Sequence, residues 1–162
     1  MHNREMLNQR LLNDLRIAIE EKQFQVFYQP KYNVQADPPS LSSAEALIRW
    51  KHPELGMVSP GVFIPLFEGN GLITMVDDYV WKETARQVAE WRDKFHFTLP
   101  VSVNLSRTDI FDPTLTERLV HLIQDNALEY RDIKLEVTES AYTDNAKQLL
   151  EFQKTIENGK EE

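Results

Sequence analysis

The chain has 162 residues, of which 41% are hydrophobic and 27% are charged, a composition typical of one soluble globular domain. Its formal net charge of -8 argues against binding to a nucleic acid polymer, because nonspecific binding of that kind requires clustered lysine and arginine. The sequence has no cysteine, which excludes disulfides and thiolate metal sites, and no apolar run of the roughly 18 residues that a membrane span needs. We therefore expect a cytoplasmic protein without membrane insertion.

The first part of the sequence predicts one helix followed by a β-hairpin. Apolar residues recur at helical spacing from about residue 4 to residue 21, which indicates an amphipathic helix that needs a surface to cover. Residues 24–33 and 41–50 are rich in aromatic and branched side chains, and turn-forming residues separate the two segments. We predict that these segments are strands and that they pair with each other.

Two helices are predicted to follow the hairpin. Ser59 followed by Pro60 is typical of a helix start, so a short helix is expected over about 60–68, before glycines interrupt it. Apolar residues at helical spacing indicate a longer helix over about 74–94. Thr74 is expected to cap this longer helix.

The second half of the sequence alternates strands and helices. Strands are predicted over 99–106 and 133–139, and a helix that opens at Asp112 and Pro113 lies between them. A last helix is expected over about 145–158, ending before a glycine. This alternation predicts right-handed crossovers and hence a parallel sheet with its helices outside.

The leading fold class is α/β, as an incomplete TIM-like (β/α) barrel with about four strands and helices outside. A complete barrel of eight strands takes about 250 residues, whereas this sequence has 162 and stops where a fifth strand is expected. We expect a single partial domain, with an N-terminal helix over 1–21 and the first part of the barrel over 22–162. The alternative is an antiparallel α+β sheet that exposes one polar face.

Polar side chains occupy one face of three predicted strands. Glu45, Asn104 and Glu136 alternate with apolar neighbours, so these groups point into the barrel if the apolar faces meet the helices. Barrel enzymes keep their chemistry at the carboxyl ends of the strands. Two carboxylates and an amide oxygen are hard ligands suited to Mg2+ or Mn2+, and Arg49 is suited to bind a phosphate. The pattern therefore indicates a metal-dependent site for an anionic phosphodiester.

The residues around Glu45 resemble a known family. AEALIRW resembles the signature of the EAL phosphodiesterase family, and YQPKYN, SPGVFIPLFEGNGLI, VSVNLSR and LEVTES resemble its other motifs. Their order and spacing agree over about residues 20–158, so the resemblance covers nearly the whole sequence. It implies a bacterial signalling domain that hydrolyses cyclic di-GMP to linear pGpG, with a water held between two divalent cations, Mg2+ or Mn2+.

The resemblance also implies individual roles, position by position. The metal ligands that it implies are Glu45, Asn104 and Glu136. The residues that it implies in contact with the cyclic dinucleotide are Gln29, Leu47 and Arg49. Glu139 matches a glutamate that anchors the active-site loop of the family, and it completes an implied catalytic set with Glu45 and Glu136.

One part of the family pattern is missing. The family continues with an Asp-Asp-Phe-Gly-type segment and a downstream lysine, which this sequence lacks, while Asp77 and Asp78 lie inside a predicted helix, where both should be solvated. We therefore expect weak or absent metal binding and negligible turnover by these residues alone. Two other functions remain open: a module that binds cyclic di-GMP or a protein without cleavage, and a structural fragment that self-associates through the open edge of the barrel.

Overall fold

The computed structural model describes residues 2–137 and residue 154. The elements in chain order are α1 (His2–Glu20), β1 (Phe24–Asn33), β2 (Ser40–His52), β3 (Gly56–Val58), α2 (Pro60–Gly69), α3 (Ile73–Phe95), β4 (Val101–Leu105), α4 (Arg107–Ile110), α5 (Leu115–Asp125), a 3-10 turn (Tyr130–Asp132) and β5 (Ile133–Val137). Within this part of the chain, no helix is long and apolar enough to cross a membrane.

The strands form one mixed sheet in the order β1-β2-β4-β5, and β3 pairs with the end of β2. β1 runs antiparallel to β2, whereas β2, β4 and β5 run parallel to one another. The predicted hairpin and the predicted parallel sheet are therefore confirmed, and the alternative of an antiparallel α+β sheet is wrong. The sheet does not close on itself among the described strands, as expected of an incomplete barrel.

Two clusters of buried side chains lie on the helix side of the sheet. One cluster packs α3 and α5 against the parallel strands, and its fully buried members include Ala85, Val101 and Leu105. The other packs α1 and α2 against the start of β1 and the end of β2, around the fully buried Trp50 and Phe63. Because side chains alternate along a strand, these clusters turn the remaining residues of β2 and β4 toward the opposite face.

Local signals predicted most helix and strand bounds but missed the short elements. Ser59 caps α2 as predicted, since its Oγ accepts from the Gly61 N–H at 3.2 Å. The prediction that Thr74 caps α3 is wrong: the cap position is Leu72, and Thr74 Oγ1 is buried with no hydrogen-bond partner in the described region. The prediction of about four strands missed β3, whose first residue, Gly56, follows a tight turn and has a φ of 73°.

The end of the sequence is the remaining difference. The predicted strand over 133–139 is present as Ile133–Val137, and its last two residues lie outside the described part. The helix predicted over 145–158 also falls outside it, apart from residue 154. The division into an N-terminal helix over 1–21 and a partial barrel over 22–162 stays a prediction.

Candidate active site

The two faces of the parallel sheet differ in chemistry. On the helix side, Ala44, Ala46, Val101 and Val103 are all buried. On the opposite face, Asn104 is exposed, and Glu45 of β2 and Glu136 of β5 are half-buried. The sequence pattern and the packing of the helices therefore place Glu45, Asn104 and Glu136 on one common face.

The strand register brings these three side chains close together. Asn104 and Glu136 are direct partners across β4 and β5, and neighbouring strands lie about 4.8 Å apart. Glu45 pairs with Ser102, so it is the diagonal neighbour of Asn104, a separation of about 7–8 Å between backbones. Glutamate side chains are long enough to converge over that distance.

The donor set of this face suits a hard divalent cation. Two carboxylates and one amide oxygen are the ligand types that Mg2+ and Mn2+ prefer. Across residues 2–137, no group of three or more His, Cys, Asp or Glu side chains is arranged to hold a metal ion. The face carries two acids and one amide, so a cation bound here needs further ligands, such as water.

A lysine contacts one of these carboxylates. Lys31 Nζ lies 3.2 Å from Glu136 Oε1, although the two residues belong to the first and last strands of the sheet order. A flat sheet would hold those strands about 14 Å apart at the usual strand spacing of about 4.8 Å. Strand side chains stand roughly perpendicular to the sheet, so the ion pair indicates that the sheet curves around this face, as the wall of a barrel does.

The predicted ligand-binding residues lie on the same face. Gln29 is the partner of Glu45, and Leu47 is the partner of Phe27, across the antiparallel pair β1–β2. The Arg49 guanidinium stands 5.8 Å from the centre of the Phe27 ring and donates to the Ile48 carbonyl at 2.9 Å. The structure thus places Gln29 beside Glu45, with Leu47 and Arg49 further along the same face of β2, whereas Glu139 lies outside the described residues.

The prediction that Asp77 is solvated is wrong. Asp77 is only 8% exposed, and it lines a cavity of about 150 Å³ together with Asn104 and Ser106. Asp78, in contrast, contacts Lys82 and Arg118 on the outer side of α3. The signal was present in the sequence, because Asp77 belongs to the helical repeat of buried positions Ile73, Val76, Asp77, Val80, Trp81 and Thr84.

Asp77 has a buried acidic neighbour that sequence analysis also missed. Asp109 is 0% exposed, and its Oδ2 accepts from the Ser106 N–H at 3.0 Å and from the Ser106 hydroxyl at 2.8 Å. Burial, followed by the nearby Asp109 carboxyl, raises the pKa of Asp77 to about 10. Both causes favour the protonated form of Asp77, which lines the same cavity as Asn104 and Ser106.

This raised pKa makes stability depend on pH. The folded protein keeps a proton on Asp77 that the unfolded chain releases above its ordinary pKa of 3.8, so this stabilisation is complete below about pH 4 and declines as pH rises toward 10. Asp77→Asn removes the titration and keeps the shape. We expect the variant to gain about 1 kcal/mol or more over the parent at pH 8, and little at pH 4.

Urea unfolding at several values between pH 4 and pH 9 measures this difference. Asp78→Asn is the matched control, because it removes the adjacent carboxyl, whose contacts are the partly exposed Lys82 and Arg118. The control should lose a little stability at pH 8 rather than gain any. An Asp77→Asn variant that is no more stable than the parent at pH 8 would contradict the prediction.

Comparison with known proteins gives one family. A sequence profile described as EAL domain matches residues 12–158. The bifunctional diguanylate cyclase/cyclic di-GMP phosphodiesterase MucR of Pseudomonas aeruginosa is 39% identical over 130 residues, covering 80% of this chain and 19% of MucR. The cyclic di-GMP phosphodiesterase PdeR of Escherichia coli is 39% identical over 132 residues, covering 82% of this chain and 19% of PdeR. The chain thus spans about a fifth of these relatives.

Solved structures show the same fold. The PaMucR phosphodiesterase in complex with c-di-GMP matches with a TM-score of 0.83 and 35% identity, covering 92% of this chain and 60% of that one. The EAL domain of Xanthomonas citri FimX, in complex with c-diGMP, matches with a TM-score of 0.79 over 94% of this chain and 58% of that one. At 23% identity, the FimX match bears on the fold alone.

Proposed function

This chain belongs to the EAL domain family, and we propose that it forms the metal- and ligand-binding wall of a domain that hydrolyses cyclic di-GMP to linear pGpG. The observation that carries the proposal is the register of β2, β4 and β5, which places the positions of Glu45, Asn104 and Glu136 next to one another on one face. The relatives named as cyclic di-GMP phosphodiesterases support this choice of substrate.

Each residue of the face has a defined task in this proposal. Glu45, Asn104 and Glu136 hold a divalent cation, Mg2+ or Mn2+, which when bound supplies Lewis acidity and lowers the pKa of a bound water. Arg49 leaves the Phe27 ring to form a bidentate contact with a phosphate. Gln29 and Leu47 contact the dinucleotide beside it, and Glu139 keeps its predicted role in anchoring a loop of the site.

Residues 1–162 alone are expected to bind metal weakly and to turn over substrate negligibly. Mg2+ prefers six oxygen ligands at short distance, and this face offers three from protein side chains. Cytoplasmic localisation and self-association through the open edge of the sheet also stay predictions. Light scattering at micromolar concentration tests self-association, and a monodisperse monomer would contradict it.

The proposal is tested by incubating the chain with Mn2+ and cyclic di-GMP while recording thermal unfolding and product formation. We expect thermal stabilisation that is larger with both additions than with either one alone and is lost in Glu45→Gln, with no more than traces of pGpG. Rapid formation of pGpG would support the reaction and overturn the expected inactivity. Absence of stabilisation and of product would overturn the proposed binding role.

Lys31 should compete with the cation for Glu136. Its ammonium already neutralises this carboxylate, so Lys31→Met is expected to tighten Mn2+ binding. Both side chains are partly exposed, and such ion pairs contribute up to about 1 kcal/mol, which limits the effect to roughly fivefold. Titration calorimetry measures the affinity.

The control for this prediction is Lys134→Met. Lys134 is an exposed lysine on β5 two residues before Glu136, and its replacement changes the net charge by the same amount. If the two variants bind Mn2+ equally well, the gain comes from net charge alone and the direct competition is refuted.

A further inference from the structure

Trp81 connects the interior of α3 to the strand residue Asn104. The indole is 2% exposed, and its Nε1–H donates to the backbone carbonyl of Asn104 at 3.1 Å. We propose that Trp81 is a positioning residue, which fixes the β4 backbone at Asn104 and thereby the direction of the Asn104 amide in the metal site. This inference rests on the proposed role of Asn104 as a metal ligand.

The carbonyl of Asn104 sits where the sheet begins to separate. The pairing of β2 with β4 covers Ala44 with Val101 and Glu45 with Ser102, and it does not extend to Asn104. After Glu45, β2 pairs with β1 and β3 and no longer with β4. A strand that loses one neighbour needs another donor for its buried backbone groups, and the Trp81 indole supplies one.

The indole is itself held in place from the outside. The Arg118 guanidinium of α5 stands 5.1 Å from the centre of the Trp81 ring, a cation–π distance. Arg118 also forms ion pairs with Asp78 at 3.0 Å and with Asp112 at 2.6 Å. These charges clamp the guanidinium against the ring, so that a chain of contacts runs from the outer surface of α3 and α5 to Asn104.

A matched pair of variants separates positioning from general packing. Trp81→Phe removes the indole donor and keeps an aromatic ring. Trp50→Phe does the same for a tryptophan that is 0% exposed and whose Nε1 donates to Gln23 Oε1, also at 3.1 Å, in the other core cluster. Both variants should lose comparable stability, because each loses one buried hydrogen bond and part of a ring.

The two variants should differ in metal binding. We expect Trp81→Phe to weaken Mn2+ binding in titration calorimetry by about tenfold, the lower end of the range for residues that orient a metal ligand, because Trp81 acts through the backbone of Asn104. Trp50→Phe should bind Mn2+ as the parent does. Equal Mn2+ affinity of the two folded variants would overturn the inference, whereas a parent that binds no Mn2+ at all would count against the proposed function instead.

A second pair keeps the inference testable if Trp81→Phe does not fold. Arg118→Gln keeps the indole donor but removes the clamp, and it should weaken Mn2+ binding by a smaller factor, about twofold to threefold. Arg86→Gln is its control, because Arg86 forms ion pairs with Glu83 and Glu90 along α3. If Arg118→Gln binds Mn2+ no more weakly than Arg86→Gln, the clamp has no effect on the site and the inference fails.

Discussion

Replacing Asn104 by alanine is expected to abolish the Mn2+-dependent binding of cyclic di-GMP while the fold stays intact. Asn104 is exposed on the inner face of the sheet, so its side chain contributes little to packing. Its amide oxygen is the central donor of the proposed site, since β4 lies between the strands that carry Glu45 and Glu136. Loss of one donor of three should weaken Mn2+ binding by more than about 100-fold, above the effect of residues that only orient ligands.

Asn104→Asp is the matched variant that should retain Mn2+ binding. Asn104→Asp keeps an oxygen at the same place and adds a charge, so it should bind Mn2+ at least as well as the parent. Titration calorimetry with Mn2+, repeated in the presence of cyclic di-GMP, distinguishes the two substitutions. If Asn104→Ala binds Mn2+ with the affinity of the parent, Asn104 is not a ligand and the proposed metal site is refuted.

The sequence predicted which side chains of β2 and β4 face the helices because that information is local. Along β2, alanines at positions 44 and 46 pack against helices, so the period of two places Glu45 on the other side. Ser59 before Pro60 predicted the start of α2 for a similar reason, since a cap depends on neighbouring residues. Neither inference required knowledge of how the helices pack.

Contacts between distant parts of the chain were not predictable in this way. The ion pair of Lys31 with Glu136 depends on the curvature of the sheet and joins two residues that are 105 positions apart in sequence. The periodicity of α3 was sufficient to place Asp77 on the buried face, yet nothing local identifies Asp109 as its neighbour. Trp81 likewise reads as an ordinary core residue until the separation of β2 from β4 leaves the Asn104 carbonyl within its reach.

The second large effect concerns stability: Trp50→Ala is expected to lower the free energy of unfolding by about 3–5 kcal/mol, the range found when large aromatic residues are truncated in a core. Trp50 is fully buried, and its ring centre lies 4.8 Å from that of Phe24 and 5.6 Å from that of Phe63. Truncation leaves a cavity beside these two rings and also removes the hydrogen bond to Gln23.

Urea unfolding at constant pH measures this loss, with Phe95→Ala as a control. Phe95 is 69% exposed at the end of α3, so its truncation should change the stability by no more than about 0.5 kcal/mol. Trp50→Phe should fall between the two, because most of the ring volume remains. A loss below about 1 kcal/mol for Trp50→Ala would mean that this cluster is not a packed core.

The same variant also tests whether the core and the site are separable. Trp50 and Arg49 are adjacent in β2, but their side chains point to opposite faces. Glu45 lies earlier in the strand, on the same face as Arg49. Loss of Trp50 should therefore increase the unfolded population without changing the Mn2+ affinity of the molecules that remain folded. If the folded fraction of Trp50→Ala binds Mn2+ more weakly, the strand transmits packing changes to the site, and the expected independence of the core and the site is refuted.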